Sequence, residues 1–107
     1  MKLLIDENLP KKLKIDFPEH EIFTVSDMGW NSKKNGELLR LMLEKEFEKL
    51  LTFDRNLQYQ QNFARYPITV FVLNAEDNAY ISLKPLIPIM HLYLETGLKP
   101  GPIEIKA

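Results

Sequence analysis

The chain has 107 residues, 45% hydrophobic and 27% charged, the size and balance of one globular domain with its own core. It has no cysteine, which excludes disulfides, thiolate zinc sites and a thiol nucleophile; its two histidines, His20 and His91, are too few and too separated for a histidine-rich metal cage. A formal net charge of −1 gives no long-range pull on nucleic acid, so any such contact has to be local.

In chain order, Leu3-Leu4-Ile5 is a short apolar run stopped by Asp6-Glu7-Asn8, which predicts a buried strand. Asn8 is placed to cap a helix with Pro10 in its first turn, and Leu9, Leu13 and Phe17 recur at four-residue spacing until Pro18 ends it. Glu21-Ile22-Phe23-Thr24-Val25 predicts a second strand, and Ser26 to Gly36 a polar loop. A helix is expected from Glu37 to Phe47, turning Leu38, Leu39, Met42, Leu43 and Phe47 inward.

Lys49-Leu50-Leu51-Thr52-Phe53 predicts the third strand, stopped by Asp54, and Leu57 to Arg65 a short helix before Pro67. Ile68-Thr69-Val70-Phe71-Val72-Leu73 is the plainest strand of all. Leu83, Leu86, Ile87, Met90 and Leu94 then mark an amphipathic helix that Pro88 delays or bends, with Gly97 past its end. Pro102-Ile103-Glu104-Ile105-Lys106 alternates like an edge strand, parallel or antiparallel.

Strand and helix alternate throughout, so the expected fold is α/β: a small, mostly parallel sheet with helices on both faces. With right-handed crossovers the simplest strand order is 2-1-3-4 plus the C-terminal edge strand, in a single domain. No apolar run approaches membrane-span length, and Asp6 interrupts what a signal peptide would continue. The expectation is a cytoplasmic protein with no membrane partner.

In open α/β sheets, sites form outside the carboxyl ends of the strands where the winding direction reverses, here between the first and third strands. Asp6 ends the first and Asp54 the third. Two carboxylates held close repel, so the arrangement calls for a shared proton or a hard cation such as Mg²⁺ or Mn²⁺. The plainer alternative is that each acid merely caps the next helix.

Leu3-Leu4-Ile5-Asp6-Glu7-Asn8 resembles the opening strand of PIN-like nuclease domains, and Leu50-Leu51-Thr52-Phe53-Asp54 resembles their later strand ending Thr-x-Asp. Asn35-Gly36-Glu37-Leu38-Leu39 opens a helix where that family places a further acid. The three motifs arrive in order and the resemblance spans most of the chain; it is to the short PIN-like proteins that include suspected toxin components. The resemblance implies metal-dependent phosphodiester hydrolysis, of single-stranded or structured RNA, with Mg²⁺ or Mn²⁺ held by Asp6 and Asp54. It also implies Glu37 as a third acid, although Glu37 equally suits the positive end of a helix dipole. An antitoxin-like protein partner and a homodimer are further implications.

Two positions depart from the family pattern: Asn35 and Asn56 stand where relatives carry Asp. An asparagine carbonyl can coordinate a cation but carries no charge and cannot act as a base. For substrate contact, Asn8 and Arg55 adjoin the acids and can meet a phosphate oxygen. Lys11, Lys12, Lys14, Lys33 and Lys34 are the other basic residues of note; those on the first helix read more simply as a solvated face. Gln58-Tyr59-Gln60-Gln61-Asn62 is an amide-rich stretch suited either to exposed bases or to pinning the Met28-Gly29-Trp30 loop. Trp30 is then a loop anchor or a stacking platform, His91 a boundary residue, and His20 a turn residue.

Three functional readings follow: a PIN-like ribonuclease, a PIN-like domain that binds RNA or protein without cutting, and a receiver-like phosphoacceptor domain. The third needs a hydroxyl residue ending the fourth strand and a lysine ending the fifth. Here Asn74 occupies the first position, and Lys106 falls at the extreme end.

Overall fold

The computed structural model describes residues 1–56, 65–97 and 99–107. Five strands form one all-parallel sheet in the order β2-β1-β3-β4-β5: β1 (Lys2–Ile5), β2 (Glu21–Thr24), β3 (Lys49–Thr52), β4 (Thr69–Leu73) and β5 (Gly101–Ile105). The expected core order 2-1-3-4 is present, and the C-terminal segment adds a fifth strand beside β4, parallel to it.

Because side chains alternate across a strand, each strand feeds two cores. Leu3, Ile5, Leu51, Phe71 and Leu73 face one side, where they pack with Leu13, Phe17 and the C-terminal helical residues Leu83, Leu86 and Met90. Leu4, Leu50, Val70 and Val72 face the other, against Leu38, Leu39 and Met42 of helix α1 (Asn35–Glu44). The sheet is thus covered on both faces, as near-continuous apolar strands require.

Several elements differ from expectation. The segment after β1 is a 3₁₀ helix, Lys11–Asp16, with Pro10 rather than Asn8 at its N-cap, although Leu9, Leu13 and Phe17 are buried together as their spacing predicts. The loop ends earlier than Gly36, since α1 starts at Asn35, and α1 stops at Glu44, not Phe47. Glu46 turns to a positive φ of 62°, its N–H donates to the Leu43 carbonyl, and the Phe47 N–H donates to the Met42 carbonyl at 2.8 Å. That is a Schellman closure, and it buries Phe47 beneath the helix it terminates.

The C-terminal helix is broken into α2 (Tyr80–Leu83), a 3₁₀ turn (Lys84–Leu86) and α3 (Ile87–Leu94), with prolines at the start of the last two pieces. Proline removes a backbone donor and fits best in a first turn, so each proline starts a new piece. The helix expected over 57–65 falls, but for Arg65, outside the described residues, as does the whole amide-rich stretch including Gln58.

Uniformly right-handed crossovers are not what the chain uses. The Lys11–Asp16 turn and the C-terminal helices lie over the same face, yet one connection steps from β1 out to β2 and the other from β4 out to β5, the opposite way. Two such crossovers necessarily have opposite hands. The β2-to-β3 connection runs over the other face and shares the hand of β1-to-β2, so β4-to-β5 is out of step with both. Specific contacts hold it there: His91 stacks on Phe17 at 4.7 Å, its Nε2 donates to the Asp16 carbonyl at 2.7 Å, and the Tyr80 hydroxyl donates to Asp16 Oδ2 at 2.7 Å.

Candidate functional site

The reversal of winding puts a crevice beyond the carboxyl ends of β1 and β3, and the register determines what meets there. Leu4 pairs with Leu50 and Ile5 with Leu51, so Asp6 comes opposite Thr52. The ladder continues that far, since the Asp6 N–H donates to the Leu51 carbonyl at 2.9 Å. By strand alternation Asp6 points to the same side as Leu4, and Thr52 to the same side as Leu50, the side roofed by α1.

Asp6 is buried, at 8% exposure, and both its carboxylate oxygens have partners. Oδ1 accepts the Glu7 N–H at 2.8 Å, and Oδ2 accepts the Thr52 hydroxyl at 2.7 Å. Burial raises its pKa above the ordinary value; the two hydrogen bonds oppose that rise, while the charges of Glu7 and Asp54 add to it. Asp54 is half-buried, two residues past the end of β3. Its N–H donates to Thr52 Oγ1 at 3.1 Å, its Oδ1 accepts the Asn56 N–H at 2.9 Å, and its Oδ2 accepts the Asn35 side-chain amide at 3.3 Å. The Asn35 contact aims the first residue of α1 at the site.

The other expected site residues divide sharply. Asn8 serves the scaffold: its Oδ1 accepts the Phe53 N–H at 3.2 Å and its carbonyl accepts the Asn78 side chain at 2.8 Å. Asn56 reaches Asp54 with its backbone, and its side chain is exposed. The Arg55 guanidinium donates to Asn74 Oδ1 just beyond β4, and the Asn74 amide donates to Glu104 Oε2 at 3.2 Å.

Glu37 lies in the first turn of α1 and pairs with Lys33 at 3.5 Å. Among the described residues no three histidine or acidic side chains come together as a group able to hold a metal ion. The trio of Asp6, Asp54 and Glu37 is therefore not assembled in this structure. Glu37 follows Asn35 by two residues, about 200° around the helix, and meets its i−4 neighbour Lys33 instead. What remains is a two-carboxylate site with an amide beside it. Such a donor set fits Mg²⁺, which is commonly held by one or two carboxylates and keeps several waters.

Two residues were not singled out by sequence reasoning. Thr52 is completely buried and contacts both acids; only its place inside the Leu-Leu-Thr-x-Asp run hinted at it. Glu7 accepts the Ser32 N–H at 3.2 Å and the Asn31 amide at 3.4 Å, tying down the loop that leads into α1. No local pattern signals that contact, which spans 25 residues.

Trp30 is the loop anchor and not a stacking platform: it is 8% exposed and meets the Phe47 ring edge-on at 5.7 Å. His91 is a boundary residue against Phe17, and His20 lies in the turn before β2. A groove of about 360 Å³ lined by Ile89, Leu92, Tyr93 and Thr96 lies on α3, among none of the residues of the crevice. Among the described residues no helix is long and apolar enough to cross a membrane.

Compared with known proteins, the chain matches no family model, no curated protein and no solved structure.

Proposed function

We propose that this chain is a divalent-metal-dependent ribonuclease of the PIN-like type, working at Asp6 and Asp54. The observation that carries the reading is the convergence of two carboxylates, one buried and one half-buried, at the switch point of a parallel sheet, joined through Thr52. The motif resemblance adds the reaction class: hydrolysis of a phosphodiester in single-stranded or structured RNA. Mg²⁺ or Mn²⁺ bound there would neutralise the charge that builds on the phosphoryl oxygens.

The chain's own residues supply the rest. Asp6 and Asp54 hold the cation, and Asn35 orients Asp54 through its Oδ2. Arg55, at the rim beside Asp54, exchanges its bond to Asn74 for a phosphate oxygen. The roles of Asn8 and Asn56 become supporting ones: the Asn8 side chain accepts the Phe53 N–H next to Asp54, and Asn56 donates its backbone N–H to Asp54.

The test is cleavage of RNA oligonucleotides with and without Mn²⁺, using the wild type, Asp6→Asn and Asp54→Asn. Each substitution removes metal-dependent cleavage while the melting transition is retained. Cleavage that persists in chelator, or in both variants, overturns the proposal.

A second reading has its own support. Amides at positions 35 and 56 leave the crevice with two carboxylates instead of a larger acidic cluster, which suits a PIN-like domain that binds RNA or an antitoxin-like protein without cutting. Calorimetric titration separates the two: no Mn²⁺ binding at millimolar concentration favours the binding module, and saturation at lower concentration favours the nuclease. Nothing comparable favours the receiver-like reading, since Asn74 bonds to Arg55 and Glu104, and Lys106 pairs with Glu104 at 3.6 Å. Cytoplasmic location and homodimerisation stay with the proposal as expectations.

A further inference from the structure

We infer that Thr52 is the positioning residue of the site: one buried hydroxyl sets where both acids stand relative to each other. The inference rests on the proposed metal-dependent reading for its consequence, but its geometry is independent of any metal. A hydroxyl has one hydrogen to give. At Thr52 it goes to Asp6 Oδ2 at 2.7 Å, because a carboxylate only accepts. The Thr52 oxygen is then left to accept, and it takes the Asp54 N–H at 3.1 Å. One atom therefore fixes the Asp6 side chain on β1 and the backbone from which the Asp54 side chain springs.

By contrast, the Glu7 N–H holds Asp6 from outside and the Asn35 amide holds Asp54 from outside. The hydroxyl is also confined: Thr52 is fully buried, opposite Asp6 in the continued register, and its β-branched side chain has restricted freedom at χ1. Its partner oxygen on Asp6 retains a further lone pair, so the bond orients the carboxylate without closing it to a ligand. Partners of this kind commonly set metal affinity by 10- to 100-fold.

The test compares the wild type with Thr52→Val, which keeps the shape and removes the hydroxyl, and Thr52→Ser, which keeps the hydroxyl. Three readouts are taken: Mn²⁺ affinity by calorimetry, melting temperature, and hydrogen exchange of the Asp54 amide by NMR. The expected result is roughly 10- to 100-fold weaker Mn²⁺ binding in Thr52→Val, with Thr52→Ser within a few-fold of wild type. Asp54 amide exchange should quicken in Thr52→Val and stay slow in Thr52→Ser.

Wild-type affinity in Thr52→Val, with the variant folded, overturns the positioning role and leaves the metal reading standing. If the wild type itself binds no Mn²⁺, the metal reading falls and amide exchange decides the inference. An unchanged Asp54 amide in Thr52→Val then overturns it; a selectively exposed one, rescued by Ser, upholds it. Should Thr52→Val not fold, Thr52→Ser decides alone: loss of both Mn²⁺ affinity and Asp54 protection in that variant overturns the inference, and retention of both supports it.

Discussion

The carboxylate of Asp6 and the hydroxyl of Thr52 meet at 2.7 Å across β1 and β3, both shielded from water. Their pairing follows from register. It places a titratable group where its charge is penalised by burial and only partly relieved by hydrogen bonds.

Asp6 gives the metal-free protein a specific pH dependence. Its folded-state pKa lies above the unfolded value of 3.8, mainly through burial, so the folded state binds the proton more tightly. This contribution therefore favours folding at low pH and is lost as pH rises from 3.8 through the higher folded value. Asp6→Asn removes that slope. Urea unfolding of both proteins from pH 4 to pH 7 should show the wild type losing ground to the variant as pH rises; parallel curves would contradict the burial argument.

Asn35→Asp restores an acid where the PIN-like pattern has one. It exchanges the amide donor to Asp54 Oδ2 for a second carboxylate, so the metal-free protein loses stability through like-charge repulsion. With a cation present the added charge strengthens binding, on the order of 10-fold, as ligand charge tunes affinity in oxygen-ligand sites. Calorimetry with Mn²⁺ and melting curves with and without metal measure the two effects, which should have opposite signs.

Glu46→Gly should stabilise the protein by up to about 1 kcal/mol. Glu46 holds a φ of 62° to close α1, a conformation that glycine adopts without steric penalty. Chemical denaturation measures the change, and a loss of stability would show that the Glu46 side chain makes contacts that outweigh its backbone strain.

At the end of β2, Asp27 should matter more than its ion-pair partner Lys14. The Lys14 ammonium, 2.8 Å away, and then the Thr24 N–H hold the Asp27 carboxyl below the usual range. Both charged groups are 38% exposed, so the pair is screened and Lys14→Ala should cost less than about 1 kcal/mol. Asp27→Ala also removes the acceptor for the Thr24 N–H, adding a cap-like loss of about 1 kcal/mol. The Asp27 contribution is present above its unfolded value of 3.8 and is lost as pH falls through the lower folded value. Denaturation of the two variants at pH 6 and near pH 3 checks both statements, with the Asp27 difference shrinking at the acid end.

The amino-acid sequence by itself determined the alternation of elements, the parallel sheet and the inward faces. Leu4 beside Ile5 and Val70 beside Phe71 fill opposite cores because alternation along a strand is a local property. It also placed Asp6 and Asp54 at strand ends, since an acid after an apolar run stops a buried strand wherever it occurs.

What only tertiary structure decided were contacts between residues far apart in the chain. Register across β1 and β3 made Thr52 the partner of Asp6, 46 residues away, while Glu37 was left with Lys33. The Schellman turn at Glu46 released Phe47 from its expected helix, and the crossover to β5 took the hand that lets His91 and Tyr80 close on Asp16. Such outcomes depend on which surfaces pack best once the sheet exists, and residue spacing carries no record of that competition.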